Sequence, residues 1–171
     1  ASGMSSGTGD NAYNTIESLR IILSDGTILD TGEDEIKESF LKSHSGFVRD
    51  LLSLAGEIKG NTPLAERIKH KYLLKNTTGY SLNALTDFSD PFQIIKHLMI
   101  GSEGTLGFIA GIKLNTVREY PCKASSLMIF PDIQKACSAV TKLKETPVNA
   151  VELIDRSGLR SVENETGMPA F

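Results

Sequence analysis

The sequence predicts an α+β fold, and three patterns carry that expectation. An early stretch alternates apolar and other residues up to Asp25-Gly26, a long middle stretch repeats its apolar residues at helical spacing, and a second alternating stretch starts at Phe108. Period two puts successive side chains on opposite faces of a strand, whereas a period near 3.6 gathers them along one side of a helix.

The elements follow in order. Leu19, Ile21 and Leu23 alternate with Ser18, Arg20 and Ile22, and Asp25-Gly26 then precedes Thr27-Ile28-Leu29. Alternation followed by an Asp-Gly turn reads as a β-hairpin. After the acidic turn Glu33-Asp34-Glu35, the residues Ile36, Phe40, Phe47, Leu51, Leu54 and Ile58 recur at helical spacing as far as Gly60-Asn61. That is an amphipathic helix with a break near Ser45-Gly46. Thr62-Pro63 supplies an N-cap and a first-turn proline, and Arg67-Ile68-Lys69-His70-Lys71 complements the negative end of a second short helix. Asn76 to Gly79 is a turn cluster, and Asp90-Pro91 opens another short helix through about Leu98. From Phe108, the residues Ala110, Ile112 and Leu114 alternate with Ile109, Gly111, Lys113 and Asn115, which predicts a long, half-buried strand.

The register resets at Pro121, within Arg118–Lys123, and a domain boundary is expected there, dividing the chain into 1–117 and 118–171. In the second part, Ala124–Phe130 is strand-like. Pro131-Asp132 starts a helix with Ile133, Ala136, Cys137, Val140 and Leu143 on one face, and Thr146-Pro147 stops it. Asn149–Ile154 is expected as a second strand, with Asp155 capping a helix through about Glu163. A β-α-β unit of this length resembles the first half of a ferredoxin-like domain. The opening without an initiator Met and the ending just after a helix suggest a segment of a larger protein.

Composition narrows the classes. A chain of 171 residues, 40% hydrophobic and 23% charged, is long enough for a core and unlike disordered, collagenous or coiled-coil chains. Eighteen Lys+Arg against 21 Asp+Glu, with no basic block, argue against a nucleic-acid partner. The apolar runs are far shorter than the ~20 residues of a membrane-spanning helix, so no transmembrane segment is expected. Cys122 and Cys137 form neither a CxxC pair nor a disulfide framework, which suits a reducing compartment, with the cytoplasm the default.

Two glycine-rich stretches could carry chemistry. Gly7-Thr8-Gly9-Asp10-Asn11-Ala12 matches G-x-G-x-x-A, but a hairpin follows it where a dinucleotide fingerprint needs a helix, so a tether or a backbone approach to a ligand remain the readings. Gly101-Ser102-Glu103-Gly104-Thr105-Leu106-Gly107 lacks the lysine of a phosphate-binding P-loop and precedes a strand. It is either a structural turn or a backbone that lets something flat come close.

Four stretches in order carry a resemblance: Ala1-Ser2-Gly3-Met4; Tyr13-Asn14-Thr15-Ile16 ahead of Leu23-Ser24-Asp25-Gly26-Thr27; Lys75-Asn76-Thr77-Thr78-Gly79-Tyr80-Ser81-Leu82; and Ile100 through Ile109. Together they resemble the FAD-binding (PCMH-type) domain of the vanillyl-alcohol-oxidase superfamily, and within it the FAD-linked D-lactate and related D-2-hydroxyacid dehydrogenases. The likeness covers about 1–117 specifically and 118–171 loosely.

The resemblance implies that 1–117 is the second subdomain of that FAD-binding domain and 118–171 the first β-α-β part of a ferredoxin-like cap domain. It further implies FAD as cofactor, held at Ser2, Gly3 and Met4, with close approach at Gly104 and Gly107 and backbone contacts at Phe108 and Ile109. Glu103 would either hydrogen-bond the flavin or ribityl portion or cap nearby backbone N–H groups. The implied reaction is hydride transfer from a D-2-hydroxy acid to the flavin, with the chemistry belonging to the cofactor. Catalytic residues and any metal site would lie outside the segment, the electron acceptor is unspecified, and peripheral membrane association of a longer protein is compatible with it. Another FAD-dependent alcohol or sugar oxidase, or a non-catalytic α+β binding module, are the alternatives.

The remaining polar residues carry blander expectations. His44 and His70 should lie on solvated faces, His97 should complement a helix dipole rather than face substrate, and Asn76 and Tyr80 should serve capping. Gly107→Val is expected to expel the flavin and leave the fold standing. The cap segment, with open sheet edges, is expected to self-associate.

Overall fold

A computed structural model describes residues 9–76, 78–162, 164 and 166. The expected contacts at Ser2, Gly3 and Met4, and Gly7 with them, lie outside those residues. The chain forms two compact units, 1–118 and 119–171. Mixed helix and sheet makes it an α+β protein.

In the first unit, Asn11 accepts a hydrogen bond from the Asn14 amide and starts the single turn α1 (Ala12–Thr15), which runs directly into β1 (Ile16–Ile22). The Asp-Gly turn closes the expected hairpin to β2 (Ile28–Asp30). Gly26 takes φ 85° and donates to the Leu23 carbonyl, while Leu23 N donates to Thr27 O at 2.9 Å. Only glycine enters that left-handed region at no steric cost.

His44 departs from the expected solvated face. Its ring stacks flat on Phe40, centroids 4.4 Å apart, and its Nε2 lies 3.2 Å from Asp25 Oδ2. The Thr27 amide and His44 together hold the Asp25 carboxyl down at about 2. A charge-lined helix end therefore became a strut under the hairpin turn, because Phe40 offers an apolar ring to cover. His70 does lie exposed at the end of its helix.

The expected helical break occurs at His44, between α2 (Asp34–Ser43) and α3 (Ser45–Gly60). The cap of α4 (Thr62–Lys71) is Asn61, whose Oδ1 accepts from Leu64 N at 3.2 Å, so Thr62 is already helical. A single turn, α5 (Ala84–Asp87), was not anticipated. Asp90 caps α6 (Pro91–Leu98) by accepting from Gln93 N at 2.8 Å. β3 (Phe108–Leu114) then pairs antiparallel with β1, completing a sheet of order β2-β1-β3.

Helices α2 and α6 pack on β2 and β1. Leu19, Ile21 and Leu29 from the sheet meet Phe40, Val48, Phe92 and Ile95 from the helices and Met99 just past the end of α6, and a satellite core gathers Ala55, Leu85 and Ile94. Each fully buried Leu or Ile contributes about 1.5–3 kcal/mol of transfer free energy. The face of β3 differs from the expectation: Phe108, Ala110, Ile112 and Leu114 are exposed, and Ile109 and Gly111 are the partly buried pair. Phe108 lies opposite Ile22, but past the irregularity between Arg20 and Ile21 the residues Ile112 and Leu114 lie opposite buried Leu19 and Ile16, so their exposure comes from their place on an edge strand and not from the register.

The second unit contains α7 (Ile133–Leu143), capped by Asp132, and α8 (Arg156–Val162), whose Gly158 amide donates to Asp155 Oδ1 at 2.7 Å. The expected strands Ala124–Phe130 and Asn149–Ile154 do not form among the described residues. None of this unit's described residues is buried. Parallel strands joined by a crossover need cover on both faces, and two strands alone are marginal.

Candidate functional site

The link from α6 to β3 concentrates the unusual backbone of the chain. As α6 ends, Ile100 N donates to His97 O and Ser102 N to Met99 O, both at 3.2 Å, and Gly101 turns the chain at φ 83°. A left-handed glycine is the common way to end a helix. Glu103 and Gly104 continue left-handed at φ 53° and 79°. Ser102 is buried beneath them, its carbonyl accepting both the Thr105 amide at 3.0 Å and the Thr105 hydroxyl at 2.6 Å.

A second loop locks this one. A Cβ on Gly101 would sit 3.1 Å from the Gly79 carbonyl oxygen. The Tyr80 and Thr105 hydroxyls lie 2.8 Å apart, Ser81 Oγ donates to Ile100 O at 2.8 Å, and the Tyr72 hydroxyl donates to Tyr80 O while accepting from Leu82 N. The capping expectation for Tyr80 and Asn76 is therefore corrected. Tyr80 ties the loops together, and Asn76 Oδ1 accepts the Thr78 amide and hydroxyl in an Asx-type turn.

Of the expected cofactor residues in this region, Gly104 has open space where a Cβ would stand, whereas Gly107 does not. A Cβ at 107 would meet Ile22 O at 3.1 Å and Ile21 Cγ2 at 3.3 Å. A side chain at 107 would thus press on the backbone of β1, and Gly107→Val is expected to cost the fold as well as any ligand contact. Glu103 is exposed, and among the described residues its carboxylate accepts no hydrogen bond, so it caps no backbone N–H. Nor do the Glu103, Gly104 and Leu106 amides donate to any acceptor among those residues.

An apolar row adjoins the loop. Ile22 pairs with Ile28 on one side and Phe108 on the other, and directly opposed residues share a face. Ile28 and Phe108 are 52% and 66% exposed, and Leu106, two residues before Phe108, is exposed as well. Sequence reasoning passed over Ile22 and Ile28, although the tight turn at Asp25-Gly26 already sets them opposite each other. Ile109 faces the core beside Ile21, and because β3 is an edge strand, part of its backbone is open to a ligand.

A non-glycine left-handed residue costs roughly 1–2 kcal/mol. Glu103→Gly should therefore raise stability by about 0.5–1 kcal/mol, allowing for the looser unfolded chain. Thermal unfolding measures it, and a lower melting temperature would show that Glu103 has stabilising contacts after all.

Away from the loop, α6 buries two basic side chains that were not foreseen as core. Lys96 donates from Nζ to Glu17 O at 3.0 Å, and burial pushes its pKa down. His97 is buried too, and burial pushes its pKa down, so the expected dipole-complementing charge is disfavoured. No group of three or more His, Cys, Asp or Glu side chains able to hold a metal occurs among the described residues. No helix among those residues is long and apolar enough to cross a membrane. No protein-family model, curated protein or solved structure matches the chain.

Proposed function

We propose that residues 1–117 form one wall of an FAD site of the vanillyl-alcohol-oxidase type, in an oxidoreductase that passes hydride from a D-2-hydroxy acid to the flavin. The observation that carries this reading is the loop 101–107. It is exposed and left-handed at three positions, braced from behind by Ser102 and Tyr80, and it opens onto an apolar row. A large ligand with a flat apolar end and a hydroxyl-bearing chain suits such a surface.

The residues fit that ligand on their own chemistry. Gly104 leaves room for close approach, the Glu103 and Gly104 amides offer donors, and the Glu103 carboxylate can accept from a hydroxyl. Phe108, Ile22 and Ile28 would cover an apolar ring edge, and the free edge of β3 would supply backbone contacts at Phe108 and Ile109. Loop 101–107 carries one carboxylate and no cation, so a pyrophosphate would need its partners elsewhere. The flavin would supply the hydride acceptor. This chain's part would be to position it and exclude water.

A second reading, an α+β binding module whose glycines are only turns, draws support from Gly101 and Gly107, which both have steric reasons internal to the fold. An alcohol or sugar oxidase would use the same wall.

Titration separates them. One wall of a cleft leaves much of a ligand in water, whereas cofactor sites bury about 70–90% of it. The 171-residue chain should bind FAD more weakly than micromolar, and a longer protein with the complementary subdomain should purify yellow and bleach with a D-2-hydroxy acid. A colourless longer protein that no flavin stabilises would overturn the proposal, and bleaching only with sugars or simple alcohols would reassign the substrate. Micromolar FAD binding by this chain alone would contradict the half-cleft.

A further inference from the structure

The end of α4 carries a surface patch that neither the core nor the flavin reading uses. Arg67-Ile68-Lys69-His70-Lys71 closes the helix and Tyr72-Leu73-Leu74-Lys75 follows at once, so nine residues bring four Lys or Arg side chains and no carboxylate. The whole chain has the opposite sign, at -3. Ile68 is buried, and Lys69 reaches Glu66 at 3.1 Å. Arg67 and Lys71, one helical turn apart and so on one side of α4, are exposed and enter no ion pair among the described residues.

Two leucines crown this basic end. Leu73 and Leu74 are 69% and 65% exposed, and Leu73 is the most exposed large apolar side chain among the described residues of the first unit. The backbone beneath them is tied down. Tyr72 N donates to Ile68 O at 3.2 Å and Leu73 N to His70 O at 3.3 Å, while the Tyr72 hydroxyl donates to Tyr80 O and accepts from Leu82 N. A held turn therefore presents both leucines to water. Cations at a helix C-terminus complement its dipole, which accounts for the basic residues by themselves. It leaves the leucines among them unexplained.

We propose that this patch docks on an anionic phospholipid bilayer, Leu73 and Leu74 entering the boundary between headgroups and acyl chains while Arg67, Lys69, Lys71 and Lys75 meet the headgroup phosphates. The two halves of the patch select that partner together. A cluster of four Lys and Arg is drawn to the negative potential of an anionic leaflet, and apolar side chains beside it leave water where the partner offers hydrocarbon. Nucleic acid would satisfy the cations and leave both leucines wet. Its bases also stack on open aromatic rings, whereas the one ring in this stretch, Tyr72, is partly buried and bonded into the loop. Surface attachment of this kind needs no spanning helix, and it stands apart from the flavin reading.

Flotation of the 171-residue chain with lipid vesicles tests it. The chain should float with vesicles of about one third phosphatidylglycerol in phosphatidylcholine and stay behind with phosphatidylcholine alone. In about 1 M salt, where the screening length falls to about 3 Å, attachment should be lost. Arg67→Gln combined with Lys71→Gln should weaken partition by about twentyfold, at roughly fivefold per charge. Leu73→Ser combined with Leu74→Ser keeps every charge and should weaken it by about tenfold. As an independent reading, Leu74→Cys carrying an environment-sensitive fluorophore, in a chain with Cys122 and Cys137 replaced by Ser, should shift its emission to the blue on the anionic vesicles only. No flotation, or no such shift, would overturn the proposal. Serine variants that bind as wild type would overturn it too, since a purely electrostatic attraction fits an acidic protein or a polyanion instead. Equal attachment to uncharged vesicles would leave the cations without a role and would likewise sink it.

Discussion

Gly107→Val should destabilise the first unit by about 2–3 kcal/mol in the absence of any ligand, because an added side chain there must displace backbone. The nearest obstacle is the Ile22 carbonyl oxygen, 3.1 Å from the position of a Cβ, with Ile21 Cγ2 at 3.3 Å and Met99 Cε at 3.5 Å. Ile21 is fully buried, and Met99 belongs to the same core, so neither neighbour can swing into solvent. The two γ-methyls of valine extend the clash. Chemical denaturation should show the midpoint falling without a change of slope. An unchanged midpoint would mean that β3 can shift along β1, and the pairing of Ile22 with Phe108 would need revision.

Gly104 is the informative contrast, since nothing stands within 4 Å of its Cβ position. Gly104→Ala costs only the left-handed backbone penalty, about 1–2 kcal/mol. In a longer protein carrying both walls, the same change should weaken FAD by about tenfold or more, equivalent to about 1.4 kcal/mol, if the ligand backbone approaches here. Undiminished flavin occupancy would reduce this glycine to a turn residue. Comparing the two variants separates a glycine the fold needs from one a ligand needs.

Local patterns were legible where the chain itself supplies the partner. The hairpin followed from alternation and Asp25-Gly26, and the caps at Asp90, Asp132 and Asp155 from side chains that bond amides three residues ahead. What the pattern hid was set by distant neighbours. Alternation in β3 showed two faces but not which one the helices would cover, because that depends on β3 being an edge strand. His44 and His97 looked like solvated or dipole-facing residues, yet Phe40 and Phe88 each offered a ring to stack on. Phe40 lies one helical turn before His44, a spacing that pairs side chains on a helix face, so that contact had a signal. Phe88 reaches His97 from outside α6, and no local spacing could announce it. In the candidate site, the glycines marked the loop, but which glycines are sterically required appears only once β1 and residues 79–81 stand against them.

The second unit should behave as a fold that lacks its partner surface. None of its described residues is buried, and Leu127 and Ile129 are 70% and 78% exposed in a stretch with strand-like composition. α7 carries an apolar side with nothing buried on it. Folding about 50 residues costs conformational entropy that such shallow burial cannot offset, at roughly 1–2 kcal/mol per residue. Amides of 119–162 should therefore exchange close to the unfolded rate, while those of Leu19 and Ile21 carry the protection of the whole first unit, slower by roughly three to four orders of magnitude for a domain stable by about 5 kcal/mol. Unpaired apolar strand segments also recruit strands from other molecules. The chain should accordingly associate as concentration rises, with protection appearing first in 124–130. Sedimentation of a strict monomer at high concentration, with equal protection in both units, would show that 119–171 closes a core of its own and that its strand segments find partners within the chain.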